Sequence, residues 1–178
     1  MDEIGLWHTG ALPDSLDPTH NPLRQHVLWG SLLSGAAGVE WYFGAKHPHN
    51  DLSSEDWRQR NQLWELNKIA KDFFNEHLPF WQMQPKHELL SIKNGYCFQL
   101  PNEIYAIYLP KLNKDITINL KAAKNKFKVF WYDPLVGGKL KIGSVPIITG
   151  SNHRNLGFPT TDNTLNLNKD WVVLLKKL

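Results

Sequence analysis
The sequence predicts an α+β protein: a C-terminal antiparallel β-sandwich preceded by β, α, β and α elements in the order of a partial (β/α)8 barrel. Two changes along the chain predict it. Up to about residue 83 the apolar residues recur at helical spacing, and from Leu89 onward they fall in short runs separated by turn signals. The charge changes sign at the same place. Residues 1–83 carry 6 Lys/Arg against 11 Asp/Glu (−5), whereas residues 84–178 carry 14 against 6 (+8), summing to the net +3. The division expected is therefore 1–83 and 84–178.

Met1-Asp2-Glu3-Ile4-Gly5 reads as a strand end carrying a carboxylate. Residues 6–22 hold Gly10, Pro13, Pro18 and Pro22, which exclude a regular helix or central strand and predict a long loop. Pro22 can open a helix whose face is Leu23, His26, Val27, Gly30, Leu33 and Ser34, and Gly35 and Gly38 close it. Val39 to Phe43, between two glycines, predicts a short buried strand. Ser53-Ser54-Glu55-Asp56 supplies a cap and acidic groups for a second helix, in which Trp57, Leu63, Trp64, Leu66, Ala70, Phe73 and Phe74 repeat until Pro79. The chain begins almost at its first strand, so the reading expects the tail of a larger protein.

Strands are predicted at Leu89–Ile92, Tyr96–Leu100, Ile104–Leu109, Ile116–Leu120, Phe127–Tyr132, Leu140–Ile142, Val145–Ile148 and Trp171–Leu175. Asn94-Gly95, Pro101-Asn102, Asp133-Pro134 and Gly137-Gly138 punctuate them. With 42% apolar and 12% aromatic residues, the 178-residue chain has ample material for a core. No stretch approaches the ~20 apolar residues that span a bilayer, and no signal peptide is visible. The single Cys97 excludes an internal disulfide and a cysteine-based zinc site.

The segments Gly95-Tyr96-Cys97, Ile104-Tyr105-Ala106-Ile107-Tyr108-Leu109-Pro110, Phe127-Lys128-Val129-Phe130-Trp131-Tyr132-Asp133-Pro134 and Asp170-Trp171-Val172-Val173-Leu174-Leu175 resemble the family called "putative collagen-binding domain of a collagenase". That resemblance implies a C-terminal sandwich attached to a polysaccharide-degrading enzyme. The first half resembles the last quarter of a retaining glycoside hydrolase barrel, with Asp2-Glu3-Ile4-Gly5 as the end of its seventh strand and Gly38 to Gly44 as its eighth. It implies that Glu3 is the nucleophile, and that the parent enzyme is secreted or periplasmic; it does not fix where this chain itself resides. The family's acid/base carboxylate comes from the fourth strand, which has no counterpart here. Because retaining hydrolysis needs two carboxyl groups about 5 Å apart, the chain alone is expected to be inactive.

The residues assigned to the substrate edge are Glu40, Trp41, Tyr42 and His8. Glu40 in an apolar run requires a partner, and Arg24 or Arg58 is the expected structural one. Trp41 or Tyr42 can stack on a sugar or fill the core, and the same alternative holds for Trp131, Tyr132 and Trp171. His47-Pro48-His49 followed by Asp51 matches no common zinc pattern, so no metal is expected, and no cofactor either. No nucleophile elbow and no phosphate-binding glycine loop occurs. The basic second half, including Lys111, Lys114, Lys121, Lys124, Lys126, Lys128, Lys139 and Lys141, can attract a sulfated or uronic polysaccharide, or can be the solvent face and edge protection of a sheet. The expected partners are a polysaccharide or oligosaccharide, or collagen as the family's label has it. Nucleic acid is not expected, for want of arginines and of any recognised motif, and neither is a membrane.

Overall fold
A computed structural model describes residues 4, 8, 10–45, 56–113, 115–159 and 166–178. Two helical segments lie on one face of a six-stranded sheet, and a two-stranded sheet lies on the other. A π-helical segment, Leu23–Trp29, continues as one α-helical turn, Gly30–Leu33, and the two together form α1. Gly35 then takes a positive φ of 87°, the expected stop. The π geometry has no residue signature and was not legible beforehand. A 3-10 turn, Trp57–Arg60, leads into helix α2, Asn61–His77. The expected Ser53 cap lies outside the described residues; Asp56 caps the turn, its carboxylate accepting from the Arg58 backbone N–H at 3.1 Å.

The strands are β1 (Gln84–Pro85), β2 (Tyr96–Leu100), β3 (Ile104–Leu109), β4 (Thr117–Asn119), β5 (Lys126–Tyr132), β6 (Ile147–Thr149), β7 (His153–Asn155) and β8 (Trp171–Lys177). The large sheet runs β1-β2-β3-β8-β5-β6 and the small one β4-β7, with every strand pair antiparallel. The α+β class with antiparallel sheets is thus observed. Five of the predicted strands correspond closely to β2, β3, β4, β5 and β8. Leu89–Ile92 does not form a strand: His87–Leu89 is a 3-10 turn and Leu90 makes a lone bridge to Ile118. Leu140–Ile142 is reduced to a bridge between Lys141 and Trp131, and Val39–Phe43 to a parallel bridge between Ile4 and Trp41. In each case the apolar run is real, but among the described residues it pairs as an isolated bridge and not as a ladder. β1 and β7 went unpredicted because Gln84-Pro85 and His153-Arg154-Asn155 carry no strand signal; Pro85 is tolerated because β1 is an edge.

Alternation in the strands feeds two cores. Cys97, Tyr105, Ile107, Val129, Trp131 and Val173 face the small sheet and meet Ile118 and Leu156. The opposite parity, Phe98, Ala106, Tyr108, Tyr132, Val172 and Leu174, faces the helices and meets Trp29, Leu33, Leu66, Ala70 and Phe73. Trp29 is fully buried, stacked on Tyr108 (centroids 5.8 Å apart, 14° between planes) with Phe73 edge-on at 5.5 Å. The apolar faces of both helices pack against the sheet. Trp57 and Trp81, by contrast, are 64% and 72% exposed. Trp131 and Tyr132 are core residues, with Trp171 edge-on to Trp131 at 6.1 Å.

Candidate functional site
Glu40, Trp41 and Tyr42, assigned from sequence to a substrate edge, lie along one short parallel contact with Ile4. The Ile4 N–H donates to the Glu40 carbonyl at 3.1 Å and the Tyr42 N–H to the Ile4 carbonyl at 3.3 Å. A second segment runs beside it, the Ala11 N–H donating to the Tyr42 carbonyl at 2.7 Å. That approach requires a glycine at position 10: its φ is 56°, and a Cβ there would stand 2.2 Å from the Tyr42 carbonyl oxygen. Arg60, buried, donates from Nε to the Ala11 carbonyl at 2.7 Å and lies 4.4 Å above the Phe43 ring. The loop is held from the other side by the fully buried His20, whose ring nitrogen Nε2 bonds Asp14 at 2.8 Å, and by the Gln62 N–H, which donates to the same carboxylate at 2.8 Å.

Within this frame Glu40 is exposed, which corrects the expectation of a buried carboxylate paired with Arg24 or Arg58. Arg24 is bound to Asp170 and Arg58 to Asp56. Trp41 is half-buried and its indole donates to Asn67 Oδ1 at 3.1 Å, tying it to α2. Tyr42 and His8 are half-buried as well. Glu3, His47 and His49 lie outside the described residues. Among the described residues no three His, Cys, Asp or Glu side chains converge as metal ligands, and no helix is long and apolar enough to cross a membrane.

Sequence reasoning missed the strongest polar constellation. Arg24 makes a bidentate pair with Asp170, Nε to Oδ2 at 3.0 Å and Nη2 to Oδ1 at 2.8 Å, and its Nη1 donates to the Thr19 carbonyl at 2.9 Å. The Tyr108 hydroxyl donates to Asp170 Oδ2 at 2.7 Å. All three residues are buried, and burial together with the Asp170 charge pushes the Tyr108 phenol far above its usual range. The group joins α1 to β3 and to the start of β8. Buried as they are and bonded to one another, the three residues leave no access for a ligand, and the group is a clamp. The available signal was Asp170, a carboxylate immediately before an apolar strand, which needs a cationic partner as much as Glu40 did.

Two concavities open beside the helices. One, of about 730 Å3, is apolar and lies among Leu28, Leu32, Val39, Phe74 and Phe98, with Lys68 and Lys71 on its rim. The other, of about 360 Å3, is polar and lies between α2 and the β5 end, among Asp72, Glu76, His77 and Tyr132. Burial pushes the Tyr132 phenol up to about 12.

Residues 94–176 match the family model described as "Putative collagen-binding domain of a collagenase". A solved structure titled "Glycoside hydrolase" is 12% identical with a TM-score of 0.63, covering 88% of this chain and 37% of its own. A glycoside hydrolase family 5 structure from Bacteroides vulgatus ATCC 8482 is 15% identical with a TM-score of 0.64, covering 88% of this chain and 36% of its own. At these identities the likeness is one of fold, and the chain spans little more than a third of either neighbour's length. No curated protein matches the sequence.

Proposed function
We propose that this chain is the C-terminal portion of a glycoside hydrolase, in which residues 84–178 are an accessory β-structure holding the last elements of the catalytic barrel. The observation that carries the reading is the parallel contact of Ile4 with Trp41, with α1 between them and α2 after them, bolted to the sheet through Arg24, Asp170 and Tyr108. Parallel neighbours joined through a helix are the unit of a (β/α)8 barrel, and loops at the strand ends of such barrels carry the chemistry. The fold likeness over 88% of the chain supports the same reading. In it Glu3 is the nucleophile, and Glu40, Trp41, Tyr42 and His8 line the substrate edge. The exposed Glu40 carboxylate can accept sugar hydroxyls, while Trp41 is positioned by Asn67.

Retaining hydrolysis needs a second carboxylate about 5 Å from the nucleophile, and the resemblance assigns it to a strand without a counterpart here. The isolated chain should therefore give no turnover on a panel of neutral and acidic glycans. A hybrid that supplies the preceding barrel elements from a family 5 relative should hydrolyse glycan, and Glu3→Gln should remove at least about a thousandfold of its rate. Turnover by the isolated chain, or a hybrid indifferent to Glu3→Gln, would overturn the assignment. The family label favours a second reading, a binding module for polysaccharide or collagen. Saturable, salt-resistant binding of the chain to immobilised triple-helical collagen would favour that module.

A further inference from the structure
The large sheet carries two lysines where neither the fold nor its edges call for them. Lys176 on β8 stands directly opposite Lys128 on β5, and the row continues outward to Ile104 on β3 and Ile147 on β6. The row lies on the helix-facing side, one step beyond the row of Phe130, Leu174, Ala106 and Phe98 that the helices cover. Like charges directly opposite one another across a strand pair destabilise it. Lysines blunt sheet edges, but β8 and β5 are interior strands, each paired on both sides. Four of the described lysines have carboxylate partners: Lys177 with Glu103 at 2.7 Å, Lys86 with Glu88 at 2.6 Å, Lys169 with Asp133 and Lys68 with Asp72. Among the described residues neither Lys128 nor Lys176 makes an ion pair.

The surroundings sharpen the point. Lys128 reaches back over the Phe130 ring, its ammonium 5.2 Å from the centroid. Lys176 is half-buried, and desolvation lowers its pKa. His77, in the last turn of α2, adds no third cation: burial and then the charge of Lys176 lower its pKa, with Glu76 beside it opposing, which favours the neutral imidazole. On the flanks Ile147 is 51% exposed, and Ile104 and Phe130 are half-buried. Two cations without a counter-ion, framed by apolar side chains, form the half of a site that an external anion would complete.

We infer that the row Ile104, Lys176, Lys128 and Ile147, with Phe130 behind it, binds an oxyanion carried on a saccharide, a uronate carboxylate or a sulfate ester. The ammonium groups meet the oxyanion, and Phe130 and the isoleucines meet the C–H faces of the sugar ring. The oxyanion follows from the sheet alone. The saccharide as its carrier rests on the glycoside hydrolase reading, and the binding test needs no catalysis, so the two fail separately.

The full chain is titrated by NMR with a sulfated oligosaccharide, an oligouronate, a neutral oligosaccharide of equal length, and inorganic sulfate. The expected result is shift perturbation centred on residues 104, 128, 130, 147 and 176 with a charged saccharide, the responding arm telling sulfate ester from carboxylate. Because Lys176 is half-buried, binding should survive at about 0.15 M salt. The double variant Lys128→Gln/Lys176→Gln should weaken it about tenfold or more. Lys121→Gln/Lys124→Gln, which removes the same charge elsewhere, should change it less than about twofold. Without ligand, Lys128→Gln should raise Tm by about 1–3 °C, because it removes the cross-strand repulsion. Equal weakening by the two double variants, equal binding of the neutral saccharide, or no response to any probe would overturn the inference. So would a fall in Tm with unchanged binding, which would mean that the lysines serve the C-terminal end of α2. Response to inorganic sulfate alone would overturn the saccharide assignment.

Discussion
Arg24, Asp170 and Tyr108 show how buried polar groups satisfy one another across distant parts of the chain. Removing one partner leaves a charge in the core. Asp170→Ala should cost about 3–5 kcal/mol of stability, and Tyr108→Phe, which removes one hydrogen bond to a charged acceptor, about 1.5–3 kcal/mol. Urea denaturation of the two variants and their combination would check this, and the combination should fall short of the sum because the residues touch. Cys97 is a second residue-scale case. It is fully buried, and desolvation raises its thiol from 9.0 to about 12. A raised thiol pKa means that the folded state keeps a proton which the unfolded state releases, so this contribution is intact below about pH 9 and is lost as pH rises toward 12. The native chain should resist alkylation near neutral pH and react only in denaturant; rapid labelling of the native chain would contradict the burial.

At the scale of elements, α1 and α2 are part of the sheet's packing. They cover Phe98, Ala106, Tyr108, Val172 and Leu174, and the sheet in turn buries Trp29. Strand pairing alone suggests that residues 84–178 can stand alone, but that fragment would open one whole apolar face to water. It should bind a hydrophobic dye and aggregate, whereas the full chain should remain monodisperse. A soluble, cooperatively unfolding 84–178 fragment would show that the helices are dispensable. In the full chain Trp29→Ala should cost about 3–5 kcal/mol, since its ring touches Tyr108, Phe73 and Tyr132.

At the scale of the molecule, the division of charge makes the two ends of the chain electrically different, −5 before residue 84 and +8 after it. Attraction that merely follows this net charge should fade by physiological salt, where the screening length is about 8 Å. On surfaces coated with collagen, sulfated glycan or neutral glycan, the collagen signal should be weak at both low and moderate salt. Few exposed aromatic residues of the strands offer a binding centre, and Trp81 and Phe80 lie beside α2 instead.

Periodicity by itself determined the two helices, the strands β2, β3, β5 and β8, the Gly35 stop and the turn at Asn102, because these depend on neighbours a few residues away. The candidate site was legible only as residue types: Glu40 was recognised as needing a partner, yet it turned outward. Tertiary structure decided the rest. It joined Arg24 to Asp170 across 146 residues, laid both helices on the sheet, and set Lys128 opposite Lys176. Pairings of that kind depend on strand order and register, which place distant side chains within a few ångströms, and no local pattern encodes the distance between them.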